Sequence, residues 1–243
     1  MDAWGLTDLG NVRKQNQDFY EIVPLDGQRT LMVVCDGMGG AKSGNVASRL
    51  ATEVFVGEVQ RMIRTEMNQA QLEQVLRDAV ELANTAVFEQ SKVSSDFEGM
   101  GTTLVAALAQ PELALIANVG DSRAYIFDKD GIRFMTVDHS LVELMVQRGE
   151  ITREQAKYHP GKNLITRAVG TEASVFCDIY CQSLRPGDAL LLCSDGLSNV
   201  LADQEILFEV VHGVHKEGCC QRLLDIAKSR GAPDNVTVVL ATA

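Results

Sequence analysis

The sequence predicts an α+β fold in which two mainly antiparallel sheets pack together with helices outside, and three observations carry that prediction. Short stretches rich in apolar and β-branched residues fall in two blocks, each followed by segments with helical periodicity. Many connections between neighbouring strands are too short to hold a crossover helix, which favours antiparallel pairing. At 243 residues and 46% apolar composition, the chain has material for one sizeable core, and a single domain over residues 1–243 is expected.

The first block reads as strands at Ala3 to Asp8, Asp18 to Val23 and Thr30 to Cys35. Two helices follow. In the first, Val46, Ala47, Leu50, Ala51, Val54 and Phe55 trace one face; in the second, Leu72, Val75, Leu76, Ala79, Val80 and Ala83 do so. They are expected side by side over a sheet. Strands resume at Thr102 to Ala109, Leu113 to Val119 and Ala124 to Asp128. Two capping-box starts, Ser140-Leu-Val-Glu143 and Thr152-Arg-Glu-Gln155, open short helices separated by Gly149, a compact helical insertion between strands. The second block continues with strands at Val175 to Ser183 and Ala189 to Cys193. Amphipathic segments at Asp203 to Val211 and about Glu217 to Arg230 precede a last strand at Val236 to Ala241.

A formal charge of −11 argues against a nucleic-acid groove, which needs a basic face. No apolar run approaches the ~18 residues of a membrane span, and Met1-Asp2-Ala3-Trp4-Gly5 lacks a signal peptide's basic start, so a cytoplasmic protein without a membrane partner is expected. The six cysteines lack paired Cys-x-x-Cys spacing and read as buried thiols, and the four histidines offer no recognised zinc set.

The informative pattern is where apolar strands stop. Leu31-Met-Val-Val-Cys35 runs into Asp36-Gly37, Leu190-Leu-Leu-Cys193 into Ser194-Asp195-Gly196, and Leu115-Ile-Ala-Asn-Val119 into Gly120-Asp121; Asp234-Asn235 leads into the last strand. Any one Asp-Gly pair is an ordinary turn former. Four carboxylates just outside buried strands are another matter, because their close approach is costly without a cation or a proton. The ligands are hard oxygens with no Cys or His nearby in sequence, which points to Mg²⁺ or Mn²⁺; no loop has the Asp-x-Asp-x-Asp-Gly calcium spacing. Upstream, Arg13 offers a planar donor fork suited to phosphate oxygens, and Asp18 adds another acid.

Competing motifs fail. Asp36-Gly-Met-Gly-Gly-Ala-Lys42-Ser43 carries Ala41 where a phosphate-binding loop needs glycine and Lys42 where a dinucleotide loop does; its glycines instead suit close backbone approach, with a helix capped near Ser43. Ser194 lacks the Gly-x-Ser-x-Gly elbow of a serine hydrolase.

With these residues in view, the sequence resembles the compact bacterial branch of the protein phosphatase 2C family over essentially its whole length. Its ordered marks are Arg13-x-x-Asn16-Gln17-Asp18, Asp36-Gly37-Met38-Gly39-Gly40, Gly101-Thr102-Thr103, Gly120-Asp121-Ser122-Arg123, Asp138-His139-Ser140, Asn163-Leu-Ile-Thr-Arg-Ala168, Ser194-Asp195-Gly196-Leu197 and Asp234-Asn235-Val236-Thr237. The resemblance implies a four-layer α-β-β-α sandwich and a protein serine/threonine phosphatase in which water activated at a binuclear Mn²⁺ or Mg²⁺ centre attacks phosphorus. It implies that Asp36 bridges both ions, that the Gly37 carbonyl binds one, and that Asp195 and Asp234 hold the other. Asp18 then acts mostly through bound water, Asp121 and Asp195 are candidates for a third, weaker ion, and Arg13 binds phosphate. A mobile flap corresponds to about Gln147 to Asn163. The implied partners are phosphorylated proteins, with a serine/threonine kinase opposed, and a monomer is the default. Two departures stand out: Met38 replaces a histidine proposed in eukaryotic relatives as general acid, and Gln17 replaces a glutamate. A thioether cannot donate a proton, which leaves a bound water or flap His159 for that part, although a histidine before Pro160 also serves as helix punctuation.

Overall fold

The computed structural model describes residues 1–40, 43–213 and 215–243. Its strands are β1 (Asp2–Asp8), β2 (Asp18–Pro24), β3 (Thr30–Met38), β4 (Gly101–Thr102), β5 (Leu104–Gln110) and β6 (Leu113–Val119), then β7 (Arg123–Asp128), β8 (Gly131–Phe134), β9 (Asp178–Ser183), β10 (Ala189–Cys193) and β11 (Val236–Thr242). They form a five-stranded sheet in the order β1-β11-β10-β7-β8 and a six-stranded sheet in the order β2-β3-β5-β6-β9, with β4 beside β3. Every pairing is antiparallel.

Alternation along the strands sorts side chains into three apolar layers. Met32, Val34, Val105, Ala107 and Ile116 of one sheet meet Ala124, Ile126, Leu190, Leu192 and Val239 of the other. On the far side of the larger sheet, Leu31, Val33, Leu104 and Leu108 pack under helices α1 (Gly44–Met62) and α2 (Gln69–Ser91). The smaller sheet turns Tyr125, Leu191, Val238 and Leu240 toward Ile206 and Val210 of helix α6 (Asp203–His212) and Leu223 and Leu224 of helix α7 (Cys219–Ser229). Central strands are thus buried on both faces, which is why they read as continuous apolar runs. The layers are helix, sheet, sheet, helix, as anticipated.

Between β8 and β9 lie helices α3 (Leu141–Gln147) and α4 (Arg153–Tyr158). Thr152 completes its capping box with Gln155. Ser140 makes only half of one: its hydroxyl accepts the Glu143 N–H, while the Glu143 carboxylate takes Arg153 and so ties α3 to α4. The insertion is closed at its base by the Ser140–Ile165 bridge.

Several boundaries differ from expectation. The run from Thr102 to Ala109 is two strands, because the Thr103 peptide and hydroxyl turn to the backbone of Asp36 instead of continuing the ladder. The strand expected from Val175 begins at Asp178, since the Val175 N–H donates to the Glu81 carboxylate on α2. Strand β8 and the single-turn helix α5 (Asp195–Ser198) were not anticipated. Ser43 caps α1 by position, but its hydroxyl donates to the Gly40 carbonyl and makes no cap bond; Ala41 and Lys42 of that loop lie outside the described residues. Among the described residues, no helix is long and apolar enough to cross a membrane. All six cysteines are free.

Candidate active site

Antiparallel pairing brings the acidic strand ends to one edge of the sandwich. The β2–β3 register sets Asp18 opposite Asp36, Asp121 follows β6, Asp195 follows β10, and Asp234 precedes β11. Asp36, Asp121, Asp195, Asp234, Gly37 and Arg13 line one open cavity of about 240 Å³, with Gln17, Met38, Gly39, Thr103, Asn163, Ile165 and Asn235 also in its wall. Asp18, the remaining candidate, does not line it; it is buried behind the cavity, 5% exposed.

Two of the acids, Asp36 and Asp18, are held from behind. The Asp36 N–H donates to Thr103 Oγ1, and its carbonyl accepts from the Thr103 N–H and the Thr102 hydroxyl. Asp18 Oδ2 accepts the Ser194 and Thr237 hydroxyls, each at 2.7 Å. Proton directions follow around that pair: Asn16 Nδ2 donates to Thr7 Oγ1, which donates to Thr237 Oγ1, while the Ser194 hydroxyl accepts the Thr237 N–H. This chain crosses from β1 and β11 to β2 and so joins the two sheets. Asn235 fixes the loop bearing Arg13: its Oδ1 accepts the Gln17 N–H, and its Nδ2 donates to the carbonyls of Leu9 and Gln15. Gly37 is packed so tightly that a Cβ there would stand 2.0 Å from the Gly44 carbonyl oxygen.

The electrostatic state of the cluster is set by burial first and by its own charges second. Desolvation pushes Asp18 up to about 7, against its hydrogen bonds from Thr237 and Ser194. Asp121 is pushed up to about 8 by burial and by the charges of Asp195 and Asp138. Asp36 is raised well above the usual carboxylate range by burial, then by Asp18, Asp195 and Asp121. Asp195 is raised by burial and Asp234, while a hydrogen bond with Asp36 and the charges of Arg123 and Arg13 oppose the rise. These groups titrate together, and without a cation they retain protons. Arg13 is the basic residue among the described residues lining the cavity; its Nη2 donates to Asp234 Oδ2 at 2.6 Å.

The donor set suits hard divalent cations on three counts. The lining acids are all oxygen ligands. Their charges repel one another, as the upward shifts record. Asp18 Oδ1 is buried with no hydrogen-bond partner, a cost that a water or ion nearby relieves. As placed, no three Asp, Glu, His or Cys side chains among the described residues stand close enough to hold an ion, and the Asp234 carboxylate is turned to Arg13.

Of the two departures, Met38 lines the cavity, so a thioether stands where a proton donor was considered. His159 does not line it: its Nδ1 accepts the Gly161 N–H at 3.0 Å, and its own N–H closes α4 on Ala156, the geometry of helix punctuation. Residues that sequence reasoning gave no role include Ser194, Thr237, Thr103, Asn235 and Asn163. Their partners lie up to 219 positions away, and only their places beside the acidic motifs could have marked them.

The family model for protein phosphatase 2C matches residues 11–224. The chain is similar to a serine/threonine phosphatase of Listeria innocua, 35% identical with 99% of this chain and 95% of that protein covered. Protein phosphatase PhpP of Streptococcus pneumoniae is 34% identical, with 98% and 95% covered. Among solved structures, a serine/threonine phosphatase of Staphylococcus aureus superposes with a TM-score of 0.93 at 37% identity, over 100% of this chain and 94% of that one. The catalytic domain of the phosphatase PstP, solved in complex with two manganese ions, gives 0.83 at 33% identity over 99% and 97%.

Proposed function

The chain belongs to the protein phosphatase 2C family and is a protein serine/threonine phosphatase, and on that premise we propose how its residues carry the reaction. Residues 1–243 act as one catalytic domain, with the insertion at about 147–163 as a flap beside the cavity. Asp36, with the Gly37 carbonyl, and Asp195 with Asp234 are the residues that would hold two divalent ions, Mn²⁺ or Mg²⁺; Asp121 with Asp195 would hold a third more weakly, and Asp18 acts through water. When bound, such ions supply Lewis acidity that lets water serve as a nucleophile near neutral pH.

The chain's own groups do the rest. Arg13 stands over the acids, half exposed and turned to Asp234; released from that carboxylate, its fork can take two phosphoryl oxygens and orient the phosphorus for in-line attack. Thr103, Ser194 and Thr237 hold Asp36 and Asp18 in place, so these acids need little reorganisation during the reaction. Among the described residues that line the cavity there is no histidine, lysine, cysteine or tyrosine. The lining carboxyls lose their protons on ion binding, and protonation of the leaving serine or threonine oxygen is assigned to water in the open cavity.

The observation that carries this reading is the gathering of Asp36, Asp121, Asp195, Asp234 and Arg13 around one cavity. The reading makes the enzyme the counterpart of a serine/threonine kinase and places it in the cytoplasm, where six free thiols are kept reduced. Its test is phosphate release, with Mn²⁺, from a phosphothreonine peptide, the phosphotyrosine peptide of the same sequence and a small phosphate ester. Preference for the phosphothreonine peptide supports it. Turnover of the small ester alone would move the substrate to another class.

A further inference from the structure

Asp121 stands just beyond the end of β6, and Gly120 decides where it points. That glycine sits at φ +107, and a Cβ on it would meet Thr103 Cγ2 at 2.6 Å. His139 reaches both polar atoms of Gly120, and Asn118 Nδ2 also donates to the Gly120 carbonyl at 3.4 Å. The Gly120 carbonyl accepts the His139 N–H at 3.0 Å, and the Gly120 N–H donates to His139 Nδ1 at 2.9 Å.

The imidazole is held in turn. Because Nδ1 accepts, the ring proton sits on Nε2, which lies 2.7 Å from Asp178 Oδ2 and donates to it. Arg167 Nη1 is 2.9 Å from the same Nε2, which has no lone pair left to offer; its hydrogens go to Asp178 Oδ2 and the Phe176 carbonyl, each at 3.2 Å. Burial, the largest cause, and the Arg167 charge lower the His139 pKa from its ordinary value, against the raising effect of Asp178 and Asp138. The His139 carbonyl accepts the Thr166 N–H at 2.8 Å, and neighbouring Ser140 bridges to Ile165. His139 is thus the joint at which both ends of the helical insertion meet the peptide before Asp121.

We propose that His139 is a positioning residue for Asp121: it grips both polar atoms of Gly120, and Asp178 with Arg167 fixes the ring orientation on which the grip depends. The proposal rests on the reading of Asp121 as a cation ligand. A buried histidine that served only the fold would make the same contacts, so the test must separate the two ring nitrogens. In His139→Asn, the side-chain oxygen can stand in for Nδ1 and keep the Gly120 bond. In His139→Gln, the longer amide reaches toward Asp178 and leaves the Gly120 N–H unpaired.

Two readouts apply: the Mn²⁺ concentration for half-maximal phosphate release, and direct Mn²⁺ binding followed by the paramagnetic resonance of the free ion. Supporting residues behind metal ligands typically change affinity by about 10–100-fold. His139→Gln is expected to weaken the weakest bound Mn²⁺ at least ~10-fold with KM for the phosphopeptide nearly unchanged, and His139→Asn to retain most of the wild-type affinity. Equal loss in both variants, or wild-type Mn²⁺ affinity in His139→Gln, overturns the proposal. If His139→Gln does not fold, Asp178→Ala frees the ring without removing it and must weaken the same ion; unchanged binding there overturns the proposal equally. Wild-type protein that binds Mn²⁺ but releases no phosphate would sink the phosphatase reading, while the binding comparison still decides the role of His139.

Discussion

Arg13 and Asp18 mark the two extremes of the site at the scale of single residues, one half exposed and one buried. Arg13 is paired with Asp234 yet half exposed, so the contact itself adds little stability, and on the proposed reading the guanidinium exchanges a carboxylate for a phosphate. Charge-assisted hydrogen bonds of that kind contribute roughly 1.5–3 kcal/mol, or about 10–100-fold in binding. Arg13→Ala is therefore expected to raise KM for a phosphopeptide about tenfold or more, with a small effect on the Mn²⁺ concentration needed for activity; steady-state kinetics at varied peptide and varied Mn²⁺ check the split. Asp18 is the opposite case. It was legible as an acid beside Arg13, but the hydroxyls that bury it, Ser194 and Thr237, sit 176 and 219 positions away. Pairing over such distances leaves no local pattern in a sequence.

At the scale of elements, strands that end in acids were legible because both of their faces are buried, and an apolar run that stops at Asp-Gly marks its own boundary. Elements that escaped notice lack that contrast. Strand β8 has four residues, none of them buried, and α5 is a single turn containing Gly196. The break at Thr103 is decided by hydrogen bonds to Asp36 across the sheet, not by local preference. The helical insertion was visible from its caps, but the Glu143–Arg153 tie was not, since the capping-box pattern assigns Glu143 to the helix start. With Arg153 mostly exposed, the tie is worth at most about 1 kcal/mol. Glu143→Ala is expected to lower Tm by no more than about 2–4 °C, yet to speed proteolytic cleavage between α3 and α4, which limited digestion would show. Unchanged cleavage would mean that α3 and α4 are held by packing alone.

For the whole molecule, the sandwich brings mutually repelling acids together, and stability must depend on what compensates them. Asp18 at about 7 and Asp121 at about 8 lie above the ordinary carboxylate value of about 3.9, and Asp36 and Asp195 are raised as well. The folded chain then holds protons that the unfolded chain has lost, so the slope of stability against pH is negative across this window. Stability of the metal-free protein is expected to fall as pH rises from about 5 to about 8, whereas Glu205, held down to about 2, loses its contribution only in strong acid. Mn²⁺ should raise Tm more at pH 8 than at pH 5, because at the lower pH it competes with protons. Melting curves at both values, with and without Mn²⁺, test the sign.

The most direct measurement is phosphate release from a phosphothreonine peptide by wild-type protein with Mn²⁺, by wild-type protein with excess chelator, and by Asp36→Ala with Mn²⁺. Release in the first case alone is the expected result and places the reaction at the acid cluster. Release that survives both the chelator and the loss of Asp36 would contradict a metal-dependent site at these strand ends.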